Sequence, residues 1–332
     1  MSAPHSAPLL LLLALACGPG SDKAEPGEPA LGEDSGGASD SGGGRDSGEP
    51  APDPLSLAAL VSVDELGATI GALADFGTRH LTADNHDEVR GYLVDRLEAL
   101  GLDTETDRFT ARGAPAGNVI ARLPGTDPST VWIFQAHFDS TSELAPETAP
   151  GADDNASGCA AVLEAARLLR DLPLRDSVWF IFTDAEEQGS LGSAFLVETL
   201  AGEDLNIKGV IAPDMIGYWP AEERDAFDIL GDEDSADLVS DMAAVADALG
   251  VANKTWVNHS YCYGDDHTNW QEAGYPAITP MDCVESHNDS HSHEDLPHYH
   301  RSTDTLDTVY LPFTARVTGV IVATLAGWAM GA

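Results

Sequence analysis

The stretch SVWFIFT, residues Ser177–Thr183, is apolar throughout its centre. A strand that is apolar on both faces is typical of a sheet that is covered on both sides. The stretch VWIFQA, residues 131–136, has the same character. Segments with helical apolar spacing lie between such strands along the chain. The alternation predicts an α/β fold, in which helices cover both faces of a sheet in a three-layer α/β/α sandwich.

The other elements follow from apolar periodicity and from turn residues. Helices are predicted over 61–76, 85–100, 158–169, 191–200, 237–249 and 311–330, and further strands over 103–110, 118–123, 208–213, 226–230 and 275–280. The last helix contains the apolar run VTGVIVATLAGWAM, with Arg316 just before it. That run is too short to cross a bilayer, so we expect a helix packed in the core.

The charge balance excludes one class of partner. The chain of 332 residues carries 56 Asp+Glu against 16 Lys+Arg, a formal net charge of -40. Nucleic acid binding needs clustered cations, so no nucleic acid partner is expected. A solvated acidic surface is the expected role of most of these acids.

The N-terminal region differs from the rest. Leu9–Ala16 is a short apolar run that ends in ALAC, with Cys17 followed by Gly18. This pattern predicts a signal peptide over residues 1–17 with a lipobox whose Cys17 is lipidated. Residues 18–54 are rich in Gly, Ser, Pro and acid and predict a disordered tether before a domain at 55–332. We therefore expect an exported protein, either a bacterial lipoprotein of the cell envelope or a secreted one, that meets a membrane only through this anchor.

Acids and a histidine gather where the apolar strands end. The polar residues after three of these strands are His137 and Asp139, then Asp184, Glu186 and Glu187, then Asp214. Sites in open α/β sheets form beyond the carboxyl ends of the strands. Imidazole and carboxylate ligands suit Zn²⁺, and two such metals can share one carboxylate. The H-x-D spacing lets Asp139 support the ring nitrogen of His137 that faces away from metal.

Six motifs occur in order: HFDS (137–140), GADDNASG (151–158), DAEEQGSLGS (184–193), PDMIGY (213–218), DDHTNWQEAGYPA (265–277) and YHRSTDT (299–305). Together they resemble peptidase family M28, and in particular its secreted bacterial two-zinc aminopeptidases, over about residues 55–332. The resemblance implies an α/β/α sandwich around a mixed, mostly parallel twisted sheet. It also implies a hydrolase that binds two Zn²⁺ ions per chain and acts on the amino termini of peptides or proteins.

The resemblance also assigns roles to individual residues. One metal would be bound by His137 and Asp214, the other by Glu187 and His300, and Asp154 would bridge the two. Glu186 would be the general base, which takes a proton from the water shared by the metals and passes it to the leaving amine. Asp139 would support His137, and Tyr299 would stabilise the oxyanion, a role that other members give to a Tyr in the loop matching residues 261–263.

Two other functions stay open at this point. Glutaminyl cyclases share the fold and use a single zinc for acyl transfer, and a carboxypeptidase would use similar chemistry at the other end of the peptide. In an exported chain we expect Cys262 to pair with Cys283, and Cys159 to be a small buried residue. The His-rich segment 287–298 is either a polar loop or an accessory metal-binding tract.

Overall fold

The computed structural model describes residues 51–331 apart from 204, 219–225, 259–264 and 283–296. The predicted leader, Cys262, Cys283 and most of the His-rich segment lie outside these described residues, so the disulfide stays a prediction. Cys159 is a buried free thiol, as expected. The described residues belong to one compact unit, Glu49–Ala332.

The helices and strands of the described residues alternate in the way that the apolar pattern predicts. The helices are α1 Pro54–Leu57, α2 Val63–Ala74, α3 His86–Ala99, α4 Ala156–Leu169, α5 Leu191–Leu200, α6 Ala236–Leu249, α7 Asp266–Glu272 and α8 Leu311–Met330. The strands are β1 Thr104–Ala111, β2 Ala114–Leu123, β3 Asp127–His137, β4 Asp176–Thr183, β5 Asn206–Ile211, β6 Ala226–Gly231, β7 Ala252–Val257 and β8 Ala277–Met281.

All eight strands form one sheet in the order β1-β2-β4-β3-β5-β8-β6-β7. The pairings β4–β3, β3–β5, β5–β8 and β6–β7 are parallel, whereas β1–β2, β2–β4 and β6–β8 are antiparallel. The prediction of a mixed, mostly parallel sheet is confirmed. Strands β1 and β7 are the two edge strands of the sheet.

The two faces of the sheet hold two apolar layers. In β4, Phe180 and Phe182 point into the larger layer, which also contains buried residues of α2, α3, α4 and α8. Trp179 and Ile181, the alternate residues, point into a second layer with Leu196 of α5 and residues of α7. Because each face carries helices, the predicted three-layer sandwich is confirmed.

Helix α8 is long and apolar enough to cross a membrane by length and composition alone. However, 72% of its most apolar window is buried inside the protein. Phe313, Val317 and Ile321 lie in the larger apolar layer. The expectation of a core helix is confirmed.

Besides the single turn of α1, two longer elements have no counterpart in the predicted pattern. Strand β7 is an edge strand with a half-exposed surface, so it lacks the apolar run that marks the inner strands. Helix α7 has a polar sequence, DHTNWQE, whose only large apolar side chain is Trp270. Asp265 caps this helix by accepting a hydrogen bond from His267 N at 2.9 Å, and Trp270 is fully buried. Tertiary packing, rather than periodicity, forms these two elements.

The sheet order explains where the polar strand ends meet. Strands β4, β3 and β5 are parallel neighbours, so their carboxyl ends lie side by side at the same end of the sheet. His137 is the last residue of β3 and lies opposite Thr183, the last residue of β4. Asp214 follows β5 and is held beside β8 by its N–H, which donates to Pro280 O at 3.2 Å.

Candidate metal centre

A first group of ligands lies entirely within the protein. His137 Nε2 is 3.3 Å from Asp214 Oδ1 and 3.4 Å from Asp154 Oδ1. All three residues are buried, and the side chain of His137 is only 2% exposed. We call this group the buried shell. It brings together two strand ends and the loop that precedes α4.

A second group shares one residue with the first. His300 Nε2 is 3.0 Å from Glu187 Oε2 and 3.4 Å from Asp154 Oδ2. The side chain of His300 is 39% exposed, so this group opens to solvent. We call it the open shell. Asp154 presents one oxygen to each shell, which is the arrangement expected of a bridging carboxylate.

The donor atoms fit divalent metal ions. Within each shell the ligand atoms all lie within 4.8 Å of one another. Nitrogen and oxygen atoms at about 2.0–2.2 Å from a tetrahedral zinc lie a little over 3 Å apart, as they do here. Oε1 of Glu187 is buried without a hydrogen-bond partner among the described residues. A buried carboxylate oxygen of this kind needs a partner, and a cation would supply one.

The charges of the centre also favour cations. Burial, and then the carboxylates of Glu187 and Asp214, raise the pKa of Asp154 well above its usual value. Burial likewise raises the pKa of Glu187 to about 8. Burial alone would lower the pKa of His137, but Asp214 and Asp139 raise it overall. Several carboxylates in a low-dielectric site repel one another, and bound cations invert this balance.

Asp139 lies against Nδ1 of His137, where the resemblance places it, and also contacts the loop after β4. His137 Nδ1 lies 3.2 Å from the main-chain oxygen of Asp139, whereas the carboxylate is 3.7 Å away, longer than a hydrogen bond. The carboxylate instead accepts hydrogen bonds from the N–H groups of Glu186 (3.0 Å) and Glu187 (3.2 Å). The side chain of Asp139 therefore fixes the loop after β4, and its main chain supports His137.

Asp304 holds the other side of the centre. Its carboxylate accepts hydrogen bonds from Asp153 N at 2.9 Å and from Asp154 N at 3.0 Å. Asp153 Oδ1 in turn accepts from Gly217 N at 2.7 Å. The motif YHRSTDT contains Asp304 but does not predict that it fixes the loop of the bridging ligand. These hydrogen bonds join residues 151 and 150 positions apart, so no local spacing in the sequence could have predicted them.

Backbone conformation is unusual at three points of the centre. His300 has φ 52°, Ala185, just before Glu186, has φ 59°, and Met215, just after Asp214, has φ 49°. Left-handed backbone at residues other than glycine is uncommon and costs energy. Its occurrence in three of the loops that carry ligands indicates that the surrounding structure fixes the positions of Glu187, Asp214 and His300.

Glu186 and Tyr299 line the cleft above the two shells. This cleft has a volume of about 230 Å³ and is also lined by Asp265, Met215 and Met281. Glu186 Oε1 accepts a hydrogen bond from Ser190 Oγ at 2.8 Å. The ring of Tyr299 stacks on that of His300, with centroids 3.7 Å apart. The structure thus brings all eight predicted site residues together at the carboxyl ends of the inner parallel strands.

Comparison with known sequences finds one family model and several named proteins that match this chain. The family model described as "Peptidase family M28" matches residues 118–325. A protein of Pyrenophora tritici-repentis named "Probable zinc metalloprotease" is 30% identical, and the alignment covers 83% of this chain and 69% of that protein. The protein "Leucine aminopeptidase 1" of Trichoderma harzianum is 28% identical over 73% of this chain and 65% of its own length.

Comparison with solved structures shows the same fold in two kinds of enzyme. The LapA aminopeptidase of Legionella pneumophila superimposes with a TM-score of 0.70 at 21% identity, covering 85% of this chain and 77% of that one. The glutaminyl cyclase of Porphyromonas gingivalis superimposes with a TM-score of 0.66 at 23% identity, covering 80% and 98%. At these identities the likeness concerns the fold.

Proposed function

The chain belongs to peptidase family M28, and from that premise we propose that it is an aminopeptidase that binds two zinc ions. As a member of this family it is a zinc metallopeptidase that hydrolyses peptide bonds. Asp154 carries the proposal of two ions, because its carboxylate oxygens face two different histidines, each at 3.4 Å. The buried shell would hold one ion and the open shell the other.

The zinc ions, when bound, polarise the substrate carbonyl and lower the pKa of water. Glu186 would act as general base. In the metal-free protein, burial, opposed by His137 and reinforced by Asp266, raises the pKa of Glu186 well above its usual value. A carboxylate beside the two shells can accept a proton from water in the cleft. Because Oε1 is engaged by Ser190, Oε2 is the oxygen left to take the proton from water and carry it to the leaving amine.

Tyr299 would stabilise the negative charge that develops on the carbonyl oxygen. Burial, and then the neighbouring Asp154 and Asp214, raise the pKa of its phenol. The hydroxyl therefore stays protonated and can donate a hydrogen bond. Its position against His300 places it on the solvent-facing side of the centre, where a substrate would enter.

Charge supports the choice of the amino end of the peptide. Among the described residues, the lining of the cleft includes no Lys or Arg, and Asp265 is its one acid that is neither a proposed metal ligand nor the proposed base. Such a cleft attracts a cationic amino terminus, whereas a carboxypeptidase needs a base to bind the terminal carboxylate. Arg301 lines a neighbouring cavity that also includes Tyr299 and His300, and its charge could bind a terminal carboxylate. The substrate panel therefore has to show from which end the peptide is cleaved. The name of the Trichoderma harzianum relative supports the same choice.

A substrate panel tests the function. Peptide amides with free and with blocked amino termini, peptides with amidated carboxyl termini, and peptides with N-terminal Gln are incubated with and without chelator and added zinc. We expect zinc-dependent release of N-terminal residues from free-amine substrates alone, whatever the state of the carboxyl end. Cleavage of blocked peptides from the carboxyl end, or cyclisation of N-terminal Gln without hydrolysis, would overturn the proposal.

We also propose that the protein is exported and lipid-anchored at Cys17. The apolar run Leu9–Ala16, the sequence ALAC and the acidic Gly/Ser/Pro-rich tether support this. Labelling of producing cells with an alkyne fatty acid should mark the wild type and not Cys17→Ser. An unlabelled wild-type protein would refute the anchor.

A further inference from the structure

Arg79 is completely buried, yet it is charged and lies next to the loop that joins the two shells. Its Nε donates to Phe138 O at 2.7 Å and its Nη2 donates to Gly151 O at 2.8 Å. A third bond goes from Nη1 to Pro150 O, and Nη2 lies 3.5 Å from Asp154 O. The guanidinium thus binds both ends of the loop 138–154, which begins just after His137 and ends at the bridging ligand.

We propose that Arg79 is a positioning residue of the metal centre, whose guanidinium sets the separation of His137 from Asp154. A guanidinium presents five N–H donors in a fixed planar fork, so the carbonyls that it binds are held at defined positions. Each of the side-chain hydrogen bonds of Arg79 among the described residues goes to a main-chain carbonyl. Arg79 therefore acts on the main-chain conformation of the loop 138–154.

The main chain of Arg79 extends this connection. Its N–H donates to Ser140 Oγ at 3.1 Å, and that hydroxyl donates to Ala149 O at 2.7 Å. Its carbonyl oxygen lies 3.0 Å from His86 Nδ1, and His86 Nε2 lies 2.8 Å from Asp184 Oδ1. Asp184 follows β4 and precedes Glu186. Arg79 thus contacts the loop 138–154 directly and is linked through His86 to the start of the loop that carries Glu187.

The close packing around the guanidinium requires a glycine at position 151. Gly151 has φ +57°, and a Cβ there would lie 2.3 Å from Asp154 O and 2.8 Å from Arg79 Nη2. Only glycine allows the fork to approach the loop this closely. Burial lowers the pKa of Arg79, and the nearby carboxylates of Asp304 and Asp154 offset only part of this cost. The proposed effect of Arg79 on metal binding therefore rests on the geometry of its hydrogen bonds.

Zinc affinity tests the proposal without any substrate. We expect Arg79→Gln to weaken zinc binding by about 10- to 100-fold, as loss of a group that orients ligands does. Arg79→Lys keeps the charge without the fork and should recover only part of the affinity. The measurement is competition with a chromogenic chelator, together with the rise in Tm that zinc produces. With saturating zinc, Arg79→Gln should lower kcat and leave KM nearly unchanged.

The control is Leu325→Ala, a cavity in α8 at a residue with 0% exposure. It should lower the Tm of the metal-free protein and leave zinc affinity at the wild-type value. Wild-type affinity in folded Arg79→Gln, or an equal loss of affinity in Leu325→Ala, would overturn the proposal. If Arg79→Gln does not fold, Arg79→Lys and Ser140→Ala take its place, and unchanged affinity in both has the same consequence. A wild type that binds zinc but spares free-amine peptides would refute the aminopeptidase proposal alone.

Discussion

The two shells of the metal centre share Asp154 but differ in how they are built. The buried shell takes His137 from the end of β3 and Asp214 from the loop after β5, and both are buried. The open shell takes His300 from a loop near α8, and its side chain is 39% exposed, against 2% for His137. Ligands at strand ends are held by the sheet, whereas His300 depends on its own loop and on Tyr299.

This difference predicts that the two shells differ in zinc affinity and in the rate of zinc exchange. A ligand set that the sheet fixes loses little entropy on binding metal, so the buried shell should bind zinc more tightly. Both shells border the cleft that Glu186 and Tyr299 line, but the side chain of His300 is far more exposed than that of His137. The open shell should therefore exchange zinc faster and meet the substrate first.

Loss of the general base should have the largest effect. Glu186→Gln should lower kcat by about 10²- to 10⁴-fold, because the attacking water and the leaving amine lose their proton carrier. Both shells keep all their ligands, so zinc content should stay at the wild-type value. Steady-state kinetics and elemental analysis on the same sample measure the two quantities. Glu198→Gln, at an exposed position of α5, is the matched control, and near-normal turnover in Glu186→Gln would remove this residue from the mechanism.

Tyr299→Phe tests the substrate side of the open shell. Removing one donor to a developing oxyanion costs about 10²- to 10³-fold in kcat. KM and zinc content should change little, since the ring still stacks on His300. Tyr275→Phe, at a ring packed against Trp270, controls for loss of a hydroxyl elsewhere. An unchanged kcat for Tyr299→Phe would give the oxyanion role to another donor.

Removing one histidine from each shell separates the two ions. Wild-type protein in excess chelator should release one zinc quickly and one slowly. In His300→Ala the fast phase should disappear and the slow one remain, and in His137→Ala the reverse. Stopped-flow absorbance with a chromogenic chelator records both phases. Loss of the slow phase in His300→Ala would reverse the assignment of the two shells.

The smallest expected effect is the change with pH in the stability of the metal-free protein. Burial raises the pKa of Glu187 from 4.5 to about 8, so between these values the folded protein binds more protons than the unfolded chain. The free energy of unfolding of the metal-free protein should therefore fall as pH rises through this window. Zinc needs deprotonated ligands, so the gain in Tm from zinc should grow with pH over the same range. Thermal melts with and without zinc measure it, and Glu187→Gln should flatten the pH dependence of the metal-free protein. A gain in Tm that does not change with pH would contradict this account.

Sequence patterns identified the parts of this protein that obey short-range rules. The inner strands are continuous apolar runs, and the polar residues that end them mark the centre, so β3, β4 and the ligands next to them could be predicted. Edge strand β7 and helix α7 could not, since only packing distinguishes them from loops. The bond partners of Asp139 and the roles of Asp304 and Arg79 depend on contacts between residues far apart in the chain. No spacing in the sequence encodes those contacts.

Zinc content per chain tests the shared carboxylate most directly. Wild-type protein and Asp154→Asn are loaded with zinc, dialysed together and measured by elemental analysis. The account predicts two zinc ions per wild-type chain and a clear loss in Asp154→Asn, because the substituted side chain contributes to both shells. A wild type that holds a single zinc, or an Asp154→Asn variant that retains two, would contradict a centre built around Asp154.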